Sequence, residues 1–212
     1  MTNILFDLDG TLNDSGPGIK NSAIKTLIEM KLKPIPYEKL NFFIGPPLRD
    51  CFRMCSVPED RIEESVPIFR KYYEAGGKYE ANIYNGIEEM LSKLNNDGYK
   101  LFVCTSKAQF LAKDIISHFK LDKYFKGIYG ALMDGSLALK KDIIAKCLEE
   151  NGHDAIMVGD TYLDINGANA NNLRSIGVTY GYGDNDKLIE YKATVIVDTP
   201  SEIYGAVKKL TK

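Results

Sequence analysis

Two aspartates one residue apart, Asp7 and Asp9, stand in the stretch NILFDLDGT (residues 3–11), directly behind the apolar run Ile4, Leu5 and Phe6. Carboxylates at this spacing, with glycine following, can converge on one cation or one phosphate, although Asp, Gly and Thr are also ordinary turn residues. A second acidic pair, Asp160 and Asp164, lies in IMVGDTYLDINGA. Two such pairs facing each other form an acidic pocket that is repulsive unless a cation occupies it. Mg²⁺ is the natural choice, because it takes oxygen ligands, keeps several waters and bridges a carboxylate to a substrate phosphate. Thr105, Ser106 and Lys107 follow the apolar run LFVC. Hydroxyls and backbone N–H groups there could hold phosphate oxygens, and Thr-Ser after a strand is equally an ordinary helix cap. Lys140 and Lys141 open a predicted helix, where a cation works against the macrodipole; such a charge is either solvated or placed for a cleft.

These residues need elements to hold them. Ile4, Leu5 and Phe6 predict a strand buried on both faces, with the first carboxylates at its C-terminal end, where open α/β sheets bind ligands. After Ser15, Gly16 and Pro17, helical spacing of Ile19, Ala23, Ile24, Leu27 and Ile28 predicts a helix from Pro17 to about Lys31, ended by Pro34 and Pro36. Further helices are predicted at Tyr37 to Phe42, at Leu48 to Cys55, and at Glu59 to Tyr79 with Ile62, Val66, Phe69 and Tyr73 as the buried stripe. No strand is expected from Asp14 to Ala81. From Tyr84 onward the pattern alternates. Strands are predicted at Lys100 to Cys104, Gly127 to Gly130, Ala155 to Val158, Ser175 to Val178 and Thr194 to Val197. Between and around them come helices at Gly86 to Asn96, Ala108 to Phe119, Lys140 to Glu150, Ile165 to Asn171 and Glu202 to Leu210. This is the signature of a doubly wound parallel sheet, a Rossmann-like α/β core. The expected core is residues 1–14 and 82–212. An inserted small all-helical cap domain, residues 15–81, leaves the sheet at its acidic end and must lie on that side.

Composition narrows the function classes. The 212 residues are 44% hydrophobic, enough for a real core. Lys and Arg number 27 against 29 Asp and Glu, with no long like-charge block, so nucleic-acid binding gets no support. No 18-residue apolar run and no basic, apolar leader is present, and we read a cytoplasmic protein without a membrane segment. Cys51, Cys55, Cys104 and Cys147 contain no C-x-x-C pair, and His118 and His153 are not at ligand spacing with them, so neither a disulfide frame nor a zinc site is expected. Cys51 and Cys55 read as helix packing.

FDLDGT, VCTSK, a lysine and VGDTYLD, in that order, resemble the four signatures of the haloacid dehalogenase superfamily of phosphohydrolases. DGTLNDSGPGIKNS, FFIGPPLRD, DGSLALKKDII and SIGVTYGYGDNDKL further resemble its phosphoglycolate phosphatase-like branch, which has a helical cap. The likeness covers nearly the whole chain. It implies that Asp7 is the nucleophile forming an aspartyl-phosphate, and that Asp9 is the general acid and then base, with its backbone carbonyl and Asp7 helping to bind Mg²⁺. Thr105 would hydrogen-bond the phosphoryl group, with Ser106 and Lys107 beside it. Lys140, preferred to Lys141 because it precedes the run DII, would balance charge. Asp160 would bind metal and Asp164 would support it. Thr161 and Tyr162 depart from relatives that carry a basic residue there.

Substrate choice is expected in the cap, where Arg49 and Arg53, one helical turn apart, and Lys20 could recognise a substrate carboxylate or second phosphate, or simply form a solvated basic face. The expected activity is a phosphomonoesterase acting on a small phosphorylated metabolite, with phosphoglycolate first, nucleoside 5′-monophosphates next and pyrophosphate third. The expected state is a monomer or homodimer. A phosphonate hydrolase would need a cap lysine such as Lys20 or Lys39. A phosphomutase shares Asp7 and Asp9. A non-catalytic phosphate-responsive module is the reading from another class.

Overall fold

Ile4, Leu5 and Phe6 are fully buried because their strand lies inside a parallel sheet, with a strand on each side. The structure, a computed structural model, describes residues 2–212. The chain divides into two units, Met1–Asn13 with Ile83–Lys212, and Asp14–Asn82.

The first unit holds β1 (Asn3–Phe6) and, beyond the second unit, α4 (Ile87–Asn96), β4 (Lys100–Ala108), α5 (Gln109–His118), β5 (Phe125–Ala131) and α6 (Lys140–Asn151). It continues with β6 (Ala155–Gly159), α7 (Tyr162–Ala170), β7 (Arg174–Val178), α8 (Asn185–Glu190), β8 (Val195–Val197) and α9 (Pro200–Leu210). The second unit holds α1 (Gly16–Glu29), α2 (Leu48–Met54) and α3 (Ile62–Glu74). Two short strands, β2 (Asn13–Asp14) and β3 (Asn82–Ile83), pair as a separate sheet.

The six-stranded sheet has the order β5-β4-β1-β6-β7-β8 and is parallel throughout. From β1 the chain winds outward through β4 to β5, then returns to lay β6 against the other side of β1. That reversal is the switch point where such sheets open a crevice beyond the strand ends. Alternation along the strands separates two cores. Ile4, Phe6 and Val103 join Met90, Leu94 and Val207 on one face. Leu5, Phe102 and Met157 join Ile143, Ile144 and Leu148 on the other. Both faces are covered, as the doubly wound expectation requires.

The helical unit has its own aromatic core. Phe43 and Phe52 meet edge to face with ring centroids 5.1 Å apart, and Phe52 meets Phe69 in the same way at 6.2 Å. In α1, a Cβ on Gly18 would lie 1.7 Å from the carbonyl oxygen of Gly77, so glycine is required for that approach.

Several boundaries depart from the sequence expectation. The helix expected at Glu59 to Tyr79 is a 3-10 turn at Glu59–Arg61, then α3, then a second 3-10 turn at Gly77–Tyr79 beyond Gly76. Two 3-10 turns, Tyr37–Lys39 and Asn41–Phe43, replace the helix expected at Tyr37 to Phe42. Asp14 lies in a strand, contrary to expectation, because a two-residue strand is too short to show a period. β4 runs on to Ala108 instead of stopping at Cys104, with a register irregularity between Thr105 and Ala108. The unexpected α8 has only six residues and is capped by Asp184, whose carboxylate accepts the Asp186 N–H at 3.0 Å.

Phe52→Ala removes the centre of the aromatic cluster, and we expect it to lower stability by about 3–5 kcal/mol, read as a shift in the urea unfolding midpoint.

Candidate active site

Register places the chemistry. Phe6 pairs with Val103 on one side and Val158 on the other. Asp7 is therefore level with Cys104 and Gly159, and Thr105 and Asp160 come one residue later at the same edge. Tight turns follow at once: Gly10 has φ +80°, and its N–H donates to the Asn13 carbonyl at 2.8 Å.

Lys140, the first residue of α6, sends its side chain inward, where it is buried. Its ammonium reaches Asp7 Oδ1 at 2.8 Å, Asp164 Oδ1 at 2.7 Å and the Cys104 carbonyl at 3.1 Å. Burial works against its charge, but the two carboxylates outweigh burial and raise its pKa above the ordinary lysine value. Lys141 is exposed, so the structure brings Lys140 and not its neighbour to the site. Two glycines make room. A Cβ on Gly167 would lie 3.0 Å from Lys140 Cγ, and one on Gly159 would lie 2.2 Å from Asp164 Cγ.

Asp164 is wholly buried and also accepts from the Thr161 N–H at 3.0 Å and the Thr161 hydroxyl at 2.7 Å. Burial pushes its carboxyl up to about 6, opposed by Lys140. Asp160 accepts the Thr11 hydroxyl at 3.1 Å and the Tyr182 and Gly183 N–H groups at 2.8 and 3.3 Å. Burial and the charges of Asp164 and Asp7 push it up to about 7. Asp9 is held by Lys107 at 2.9 Å, while its Oδ1 is buried without a hydrogen-bond partner. The Thr105 hydroxyl oxygen accepts the Lys107 N–H at 3.3 Å, which leaves its own proton free to donate. Ser106 is exposed.

Asp7, Asp160 and Asp164 each offer a carboxylate oxygen within 4.8 Å of the others. With Asp9, four carboxyl groups meet two ammonium groups, which leaves two negative charges when all four are ionised. An all-oxygen donor set with that deficit fits a hard divalent cation. Asp164 is ion-paired with Lys140 through Oδ1 and accepts the Thr161 N–H and hydroxyl at Oδ2.

The remaining candidates belong to the helical unit and are engaged there. Arg49 forks onto Glu63 at 2.6 and 2.9 Å, Arg53 pairs with Asp50 and Glu59, and Lys20 lies 4.7 Å from the centre of the Tyr37 ring. Cys51 is buried, and all four cysteines are free thiols. Among the described residues no helix is long and apolar enough to cross a membrane.

Sequence reasoning missed Thr11 and the turn at 180–183 as partners of Asp160. The only signal was the glycine pair flanking Tyr182.

Residues 4–178 match the haloacid dehalogenase-like hydrolase family. The chain is 39% identical over 196 residues to the 5′-nucleotidase of Pseudomonas aeruginosa, covering 91% of this chain and 89% of that protein. It is 33% identical over 205 residues to a phosphoglycolate phosphatase of Agrobacterium fabrum, covering 92% and 87%. The crystal structure of a predicted phosphatase from Clostridium acetobutylicum aligns with a TM-score of 0.90 at 39% identity over 98% of both chains. The chain belongs to the haloacid dehalogenase-like hydrolases.

The Asp160 shift fixes the sign of a pH effect. Its pKa is raised to about 7, so in chelator the native state binds this proton more tightly than the unfolded chain does. That contribution is fullest near pH 4 and is lost as pH rises through about 7. Thermal unfolding in chelator should therefore show stability falling from pH 5.5 to 8. Asp160→Asn should flatten the slope, and added Mg²⁺ should restore stability at pH 8.

Proposed function

We propose that this chain is a Mg²⁺-dependent phosphomonoester hydrolase working through an aspartyl-phosphate on Asp7. It is a phosphatase, as its relatives and structural neighbours indicate. The observation that carries the finer reading is the pairing of roles at one strand edge. One carboxylate, Asp7, lies against the buried Lys140 ammonium, and a second, Asp9, stands two residues on with one oxygen unpartnered.

Two separate carboxylates suit two-step phosphoryl transfer, because the nucleophile cannot also deliver the leaving group's proton. An Asp7 carboxylate oxygen forms a bond to phosphorus as the bond to the leaving alkoxide breaks, and Asp9 gives that alkoxide its proton. Asp9, now a carboxylate, takes a proton from water as the water oxygen attacks phosphorus. The Asp7–phosphorus bond then breaks, releasing inorganic phosphate and restoring Asp7. Thr105 donates to a phosphoryl oxygen and Lys140 balances charge on Asp7 and the phosphate. Asp7, Asp160 and the Asp9 backbone carbonyl would hold Mg²⁺, which when bound supplies positive charge to the phosphoryl oxygens.

The substrate is a small phosphorylated metabolite. Phosphoglycolate is one candidate, supported by the Agrobacterium relative. A nucleoside 5′-monophosphate is the second, supported by the higher identity to the Pseudomonas 5′-nucleotidase.

Phosphate release from phosphoglycolate, nucleoside monophosphates, sugar phosphates and pyrophosphate, each with Mg²⁺ and with excess chelator, tests the reading. Release should be metal-dependent and strongest for one compound. Asp7→Asn should lower kcat by roughly 10⁴-fold or more. Lys140→Met should lower it by roughly 10²–10³-fold. Normal turnover by Asp7→Asn would sink the mechanism.

A further inference from the structure

Three of the four site carboxylates are held by ammonium groups, Asp7 and Asp164 by Lys140 and Asp9 by Lys107. Asp160 is held differently. Both its oxygens accept from neutral donors: Oδ1 from the Thr11 hydroxyl, and Oδ2 from the backbone N–H groups of Tyr182 and Gly183.

The turn after β7 closes on Asp160 without room for side chains. A Cβ on Gly181 would lie 2.3 Å from Asp160 Cβ, and one on Gly183 would lie 1.9 Å from the Asp160 carbonyl oxygen. From the other side, a Cβ on Gly10 would lie 2.3 Å from Asp160 Oδ2. Tyr180 joins the two sides. Its hydroxyl donates to the Thr11 carbonyl at 2.8 Å, and its ring meets Tyr84 edge-on at 4.9 Å. Burial pushes this phenol above its ordinary value, so it stays a donor.

We propose that the turn Tyr180–Gly183 is a positioning device for Asp160, which fixes its carboxylate for divalent metal through two backbone amides, a glycine cradle and the Tyr180-to-Thr11 hydrogen bond. This rests on the reading that Asp160 is a metal ligand. Tyr180, Gly181 and Gly183 act through Asp160 and its partner Thr11. Groups of this kind set how much a ligand must move to take up its ion.

The test is a Mg²⁺ titration of the full chain followed by thermal unfolding, for the parent protein, Tyr180→Phe, Gly181→Ala and Asp160→Asn, each also unfolded in chelator. Asp160→Asn should abolish the Mg²⁺-dependent rise in melting temperature. Gly181→Ala should bind Mg²⁺ about 10–100-fold more weakly. Tyr180→Phe keeps the ring and loses one neutral hydrogen bond, so it should bind about fivefold more weakly. It should melt in chelator near the parent temperature and regain the parent kcat at saturating Mg²⁺. Parent affinity in Tyr180→Phe and Gly181→Ala, with affinity lost in Asp160→Asn, would overturn the positioning role alone. Parent affinity in Asp160→Asn would overturn the metal reading beneath it. Should Gly181→Ala not fold, Tyr180→Phe decides.

Discussion

A buried ammonium is tolerable only when each of its three N–H bonds finds an acceptor and opposite charge stands beside it. Lys140 draws its partners from three elements: it donates to the Cys104 carbonyl of β4 and is ion-paired with Asp7 just beyond β1 and with Asp164 of α7. The same contact therefore fixes α6 to the sheet edge and sets the charge around Asp7. Withdrawing the lysine would leave Asp7 and Asp164 facing each other without a counter-ion, in a setting where an uncompensated charge costs several kcal/mol. Fold and site are thus joined at one atom, and the glycines at 159 and 167 follow from it, since each yields the space that Asp164 or the Lys140 stem fills.

The parallel register supplies the second constraint. A one-residue slip of β1 would draw Asn3 or Asp7 into the apolar stretch between its neighbours, so the register is strongly specified. Holding Phe6 between Val103 and Val158 brings residues far apart in sequence, 7, 105 and 160, to one edge. The polar residues then add the finer placement: hydrogen bonds to Asp160, ion pairs to Asp7, Asp9 and Asp164.

The parts readable in the sequence were those with a period or a tight spacing. The apolar run before Asp7, the alternation of strand and helix after Tyr84 and the two acidic pairs define the parallel sheet and its acidic edge. Two-residue strands and a six-residue helix carry no period, so β2, β3 and α8 were invisible. Which of Lys140 and Lys141 turns inward needs direction, which a helix start alone does not supply; Lys140 is buried and Lys141 exposed. Thr11 escaped because a threonine after glycine is an ordinary turn residue, and the 180–183 turn because it reaches Asp160 through backbone amides and the absence of side chains. None of these has a residue-type signature beyond glycine. Beside the expected Lys140, a second ammonium, Lys107, lies against the acidic edge at Asp9.

The charge that remains is informative. Lysines placed on all four carboxylates would give a neutral, more stable edge with no demand for a metal. Instead Asp160 has only neutral donors, which orient a carboxylate without cancelling its charge, and burial leaves it poised to take a proton near neutrality. A group in that state gains from a divalent cation more than an ion-paired carboxylate does, because there is no salt bridge to break first. Orientation by amides and hydroxyls, with charge withheld, is how a fold keeps a binding site open at the expense of its own stability.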